Sequence, residues 1–288
     1  YRCYLRGRYL RHTKNDHGGA LKAYEEAVRL DPAFVPAKLG LAEANLLAAH
    51  YGLVATSRAR AIGAEALAAT GRDRDESADA LYVASLLAYV ERDWAATDAA
   101  RRRALELDPR HVHVLCTSGL VLGARGRVEE ALPFLERARE VDPLAAFPCA
   151  ATGACLLVAR RLEEADRQFE DALEFEPEHG LALWGAGMAR IALGRTADGL
   201  SALERAVALS HGAGFFVGLL GWALATAGRR DEALALRAEL AARSADAPAL
   251  VSEAWLFGAL GEMDAAFDLL DRADRELQPF VLYTGFPA

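Results

Sequence analysis

The chain has 288 residues, with 33 Lys and Arg against 41 Asp and Glu, and 53% of its residues are hydrophobic. That apolar fraction excludes a wholly disordered chain, and only four cysteines exclude a disulfide scaffold. The net charge of −8 argues against nucleic acid as the main partner, since such binding rests on neutralising phosphates. No uninterrupted apolar run reaches the ~18 residues that span a bilayer. Lysine occurs only at Lys14, Lys22 and Lys38, alanine is abundant and β-branched residues are sparse, a helix-favouring composition. The sequence opens on Tyr1 and reads as a segment of something longer, expected in the cytoplasm.

Taken in chain order, the first hairpin starts near Tyr1 and closes on Leu30-Asp31-Pro32. The same phrase returns as Leu107-Asp108-Pro109, Val141-Asp142-Pro143 and Phe175-Glu176-Pro177, and the last three prolines are 34 residues apart. A 34-residue period is that of a helix-turn-helix unit stacked into a solenoid. Eight units are expected, spanning 1–34, 35–77, 78–111, 112–145, 146–179, 180–213, 214–246 and 247–277, with 278–288 as a non-helical end segment. The second unit matches least well; its second helix should include Ala59 and Ala66, and Arg72 to Asp75 reads as an exposed charged loop. The frame puts small residues at fixed places. Position 8 of the first helix holds Ala42, Ser85, Gly119, Gly153, Gly187, Gly221 and Ala254. Position 20 of the second helix holds Ala20, Thr97, Ala131, Ala165, Gly199, Ala233 and Ala266. Large residues such as Leu135, Phe169 and Leu203 lie between, so ridges of one helix settle into grooves of the next. Proline ends each second helix by driving the residue before it out of helical backbone, and Gly126, Gly194, Gly228 and Gly261 mark the turn within a pair.

This pattern resembles the tetratricopeptide repeat over nearly the whole chain. The resemblance implies an all-α fold, a right-handed α-solenoid of about eight helix-turn-helix units, serving as a non-catalytic interaction scaffold. A narrower likeness rests on Gly7-Arg8-Tyr9-Leu10 followed by Ala20, Tyr24 and Ala27, and on the phrases at 202–210 and 228–236. These resemble the repeat region C-terminal to bacterial nucleotide cyclases, Ser/Thr kinases and winged-helix regulators, which implies a signalling or regulatory parent protein.

Catalytic signatures are missing: there is no HExxH, Walker A loop or CxxC, so no enzyme and no cofactor is expected. Gly185 and Gly187 fall inside a helix and read as packing glycines; Gly212 and Gly214 read as a joint. His111, His113 and Cys116 are the one hint of a metal, but a closed zinc site wants four ligands, and the bland reading is two loop histidines and a packed thiol.

The first helices of tetratricopeptide solenoids line a groove with their positions 2, 5, 6, 9, 12 and 13. Those positions here give Tyr82, Leu86, Tyr89, Leu120, Phe147, Trp184, Met188, Phe215, Trp222 and Trp255 as the partner-binding residues. Near the N-terminus the same count gives Arg2, Arg6 and Glu43, too few for the basic clamp that grips a terminal carboxylate. Trp94 is expected to pack at the start of an outer helix. Aromatic anchors in a groove suit an apolar peptide or a segment of the parent chain. Two alternatives stand beside it: a homo-oligomerisation element working through the end segment or an outer face, and a small-ligand sensor with an aromatic-lined cavity. The rings could instead be core, or be covered by the end segment.

Overall fold

The computed structural model describes residues 1–12, 16–71, 76–210, 212–242 and 249–278. Among the described residues there are sixteen α-helices and no strand. They pair in chain order as α1(Arg2–His12) with α2(His17–Leu30), α3(Val35–Ala48) with α4(Thr56–Ala69), α5(Ala78–Val90) with α6(Trp94–Leu107), and α7(Val112–Ala124) with α8(Val128–Val141). The second half repeats the scheme: α9(Ala146–Val158) with α10(Leu162–Phe175), α11(Gly180–Ala192) with α12(Thr196–Leu209), α13(Gly214–Thr226) with α14(Arg230–Ala241), and α15(Leu250–Ala259) with α16(Met263–Arg275). Every well-packed pair of helices lies within one hairpin or between adjacent hairpins, which is the packing of an α-solenoid. Contacts gather into two compact units, Tyr1–His111 joined by residues 276–278 from the far end of the chain, and Val112–Arg275. The expected loop from Arg72 to Asp75 and the end segment beyond Gln278 lie outside the described residues.

Local chemistry sets the helix ends. Asp31, Asp108, Asp142 and Glu176 each precede a proline and each has extended backbone, φ −142°, −130°, −137° and −139°. The proline ring excludes helical geometry from the residue before it, so the second helix must stop there. Ser210 has no proline after it, keeps φ −80° and ψ 5°, and leaves the reversal to Gly212 at φ +75°. Turns within hairpins use the left-handed residue at Gly126, Gly194, Gly228 and Gly261. Arg92 and Arg160 occupy the same conformation at φ 60° and 61°, where the sequence offers no glycine. Asp16 and Asp93 cap their helices by accepting from the Gly19 and Ala96 amides at 2.8 and 2.9 Å.

Small-against-large packing holds each hairpin shut. A Cβ at Gly119 would lie 2.5 Å from Leu135, one at Gly153 2.7 Å from Phe169, and one at Gly187 2.7 Å from Leu203. The same contact spans hairpins: a Cβ at Gly185 would lie 2.0 Å from Phe169. Phe169 is therefore a knob in a hole made by glycines of two first helices, with none of its surface exposed. In the first hairpin Tyr24 plays this part against Gly7 and Gly40, at 2.7 and 2.5 Å. Gly7 and Tyr24 are 17 residues apart, while Gly119 and Leu135, Gly153 and Phe169, and Gly187 and Leu203 are 16 apart. The first turn is thus one residue longer than the others, and Gly7 holds the position that a fixed count assigns to Arg8.

Candidate functional site

The extra residue in the first turn changes which side chains of α1 meet the other first helices. A fixed count turns Arg2 and Arg6 inward; both are exposed. Arg11 and His12 are the residues that reach α3, lying 3.5 and 3.8 Å from the Glu43 carboxylate. Arg11 and Glu43 are each 7% exposed, so this ion pair is dry. Burial holds the His12 pKa below its ordinary value, although Glu43 pulls the other way. Arg8 lies over the Tyr4 ring at 6.0 Å. On α5, the hydrogen bond from His111 lowers the Asp79 carboxyl, with Nε2 3.2 Å from Oδ1. Tyr82 faces the His111 ring at 5.5 Å, and Tyr89 stacks on His50 at 5.8 Å. His50 donates from Nδ1 to the Leu46 carbonyl at 2.9 Å, and burial lowers its pKa to about 4. The first unit therefore presents tyrosines, histidines and paired charges on its first helices and in the turns beside them. The sequence signal for the shift was Gly7 itself, a small residue one place early.

The second unit presents a different face. Trp184, Met188, Phe215, Trp222 and Trp255 come from α11, α13 and α15 and are 5%, 2%, 2%, 9% and 9% exposed. Trp184 and Phe215 rings are 6.2 Å apart. Leu120 and Phe147 are half-buried on α7 and α9, and Phe147 lies between His113 and His179 at 5.8 and 6.3 Å. The small residues Ala150, Ala151 and Ala154 of α9 are almost wholly buried beside them in the chain. The Trp255 indole Nε1 is buried without a hydrogen-bond partner among the described residues. In the first unit Tyr82, Leu86 and Tyr89 are likewise 2%, 5% and 6% exposed. These aromatic residues are closely covered rather than displayed on an open surface.

Other candidates resolve into packing. His111 turns to Asp79, His113 to Phe147, and Cys116 is wholly buried with its thiol pKa pushed well up. Cys155 donates to the Gly119 carbonyl at 3.3 Å, and burial pushes its pKa to about 12. Among the described residues no group of three or more His, Cys, Asp or Glu is placed to hold a metal ion. Trp94 meets Tyr89 edge-on at 6.0 Å at the start of α6. A cleft of about 310 Å³ opens between α10, α11 and α12, lined by Glu170, Arg190, Arg195, Asp198, Ser201 and Arg205 among others. Its guanidiniums are committed: Arg190 and Arg195 to the buried Asp166, Arg190 also to Glu170, and Arg205 to the Pro177 carbonyl. Arg127–Glu130, Arg161–Glu164 and Arg229–Glu232 forks sit at second-helix starts, the first and last exposed and the middle one half-buried, and the arginine hydrogen bond lowers each glutamate pKa.

A fold of consecutive helical hairpins with glycine-seated knobs defines a class, the helical-repeat solenoid. Within it, the tetratricopeptide repeat family model matches residues 2–34, the first hairpin. No curated protein matches the chain in sequence. Among solved structures, PilF of Pseudomonas aeruginosa is 19% identical with a TM-score of 0.51, covering 73% of this chain and 98% of that one. A monomeric mutant of IFIT1 with Gppp-AAAA is 14% identical with a TM-score of 0.59, covering 90% of this chain and 67% of that one. At these identities the likeness is one of fold. The first hairpin thus carries the tetratricopeptide repeat, and the chain as a whole shares the fold of these helical-repeat structures. No described helix is long and apolar enough to cross a membrane.

Proposed function

We propose that this chain is a non-catalytic scaffold that captures an apolar protein segment along the first helices of its second unit, within a larger regulatory protein. The anchors are Trp184, Phe215, Trp222 and Trp255, helped by Leu120, Phe147 and Met188; Tyr82, Leu86 and Tyr89 extend the same kind of face in the first unit. One observation carries the reading. The Trp255 side chain is nine-tenths covered, yet its N–H has no acceptor among the described residues. A buried indole N–H ordinarily finds a partner, and leaving one unmet costs about 1–3 kcal/mol. A carbonyl of an extended segment laid across α11, α13 and α15 supplies that partner while its side chains take the place of the rings' present covering. Because the rings are covered, a segment reaches them by displacement, and binding depends steeply on the anchors.

The test is a peptide-display selection on the full chain, repeated on Trp222→Ala and Trp255→Phe. Apolar segments should be enriched on the native chain and lost on Trp222→Ala. Trp255→Phe keeps a ring but removes the donor, and should weaken the selected peptides about tenfold, the worth of one hydrogen bond. Enrichment of acidic peptides, or equal binding to all three proteins at unchanged helicity, would sink the proposal.

A further inference from the structure

The cleft between α10, α11 and α12 takes one wall from a single helix face. Asp198, Ser201, Ala202 and Arg205 of α12 all line it, and steps of three, four and seven residues place them in one row along that helix. Asp198 stands in the first turn of α12, and Arg205 lies two turns further on, roughly 10 Å along the axis. The other walls come from Glu170 and Leu173 of α10, Leu183 and Arg190 of α11, and Arg195 in the turn.

The two ends of this row differ in sign. Arg190 and Arg195 both donate to Asp166, and Arg190 also to Glu170, so two cations meet two anions. That leaves Asp198 to set the charge at its end, and it has no ion pair among the described residues. At the far end Arg205 donates one N–H to the Pro177 carbonyl at 2.8 Å. A carbonyl holds the guanidinium in place without neutralising it, and the other N–H groups remain unspent. No carboxylate pairs with Arg205 among the described residues. Two helical turns keep Asp198 and Arg205 from pairing with each other, and the dipole of α12 stabilises each charge where it stands. Between them lie the Ser201 hydroxyl, which has no hydrogen bond among the described residues, and the apolar Ala202, Leu173 and Leu183.

We infer that this cleft binds a small zwitterion whose charges stand several ångströms apart, an unblocked dipeptide with an apolar second residue. Its ammonium goes to Asp198 and its carboxylate to Arg205. Its peptide carbonyl accepts from the Ser201 hydroxyl, and its side chain lies on Leu173 and Leu183. A free amino acid carries both charges on one carbon and cannot reach both ends. A long segment is too large, since about 310 Å³ is at the lower end of ligand pockets. The cleft shares no residue with the aromatic face assigned to segment capture, so either site can fail without the other.

Isothermal titration calorimetry of the full chain with Gly-Leu tests the inference. Affinity should fall about tenfold or more when the amino group is acetylated, when the carboxylate is amidated, or when leucine replaces the dipeptide. Asp198→Asn should abolish the preference for the free over the acetylated amino group and keep the preference for the free carboxylate. Arg205→Gln should do the reverse. Both side chains are exposed, and the melting temperature of each variant should match the native chain. Trp255→Phe should bind Gly-Leu as the native chain does. No saturable binding of Gly-Leu overturns the proposal, as does equal binding of leucine or of either blocked dipeptide. An Asp198→Asn variant that still rejects the acetylated dipeptide, or loss of binding in Trp255→Phe, would put the ligand elsewhere and overturn it equally.

Discussion

The two compact units solve the same packing problem with different side chains, and the difference separates what holds a hairpin shut from what it presents. In the second unit the first-helix small residue is glycine at 119, 153, 187 and 221, spaced by 34, and only the last hairpin departs, with Ala254 after 33. Purely apolar knobs fill those holes, and the neighbouring face is tryptophan and phenylalanine. In the first unit the spacing slips by one residue, a 3-10 turn of Ala49–Tyr51 interrupts the second hairpin, and the knob is a tyrosine. Its face carries a dry ion pair and buried imidazole. Regular spacing thus goes with apolar knobs and an aromatic face, and irregular spacing with a tyrosine knob and the dry Arg11–Glu43 pair, while the second unit keeps its one buried acid among the described residues, Asp166, paired with Arg190 and Arg195 at the cleft between α10, α11 and α12.

The sharpest way to break this contrast is Phe169→Ala, which empties a hole built by glycines of two hairpins. It should cost about 4 kcal/mol, read as a lower urea midpoint in tryptophan fluorescence from the second unit, with hydrogen exchange in α1 to α5 unchanged. A loss spread evenly over both units would show that they unfold as one. Next in size is Glu43→Ala, which strands the Arg11 guanidinium beside a dry interface. It should cost about 3 kcal/mol and raise exchange in α1 and α3 first; a change below about 0.5 kcal/mol would place the pair in effective solvent contact. The smallest effect is acid. Burial favours neutral His50, with a folded pKa of about 4 against an ordinary 6.5. The unfolded chain takes up the extra proton, so this stability is complete above pH 6.5 and is lost as pH falls towards 4. The loss should be on the order of 2 kcal/mol, confined to the first unit and reduced in His50→Asn; an equal acid response in α9 to α13 would contradict the contrast.

Much of the fold was legible because its determinants are local. Proline at fixed spacing ends a helix wherever it falls, and a small residue facing a large one repeats with the hairpin, so Gly119, Gly153, Gly187 and Phe169 could be placed from the sequence. The face of α1 could not be placed by the same count, because a turn can absorb one residue without altering either helix, and only the Gly7–Tyr24 contact reveals it. Arg92 and Arg160 were equally silent, since no side chain advertises a left-handed turn as glycine does. The aromatic row on α11, α13 and α15 was readable as a row. Its near-complete burial was not, since period and residue type are the same for an anchor and for a core ring.

The neighbour-only pattern of packing has a consequence for how the protein is made. Among the described residues each helix finds its closely packed partners within its own hairpin or the ones beside it, so the helices of a unit assemble without waiting for a distant one. Within each unit a hairpin leaving the ribosome meets a docking surface already formed by the one before it, and its knobs spend little time bare. Growth of the nascent chain and growth of the folded stack are then the same process, adding one layer at a time.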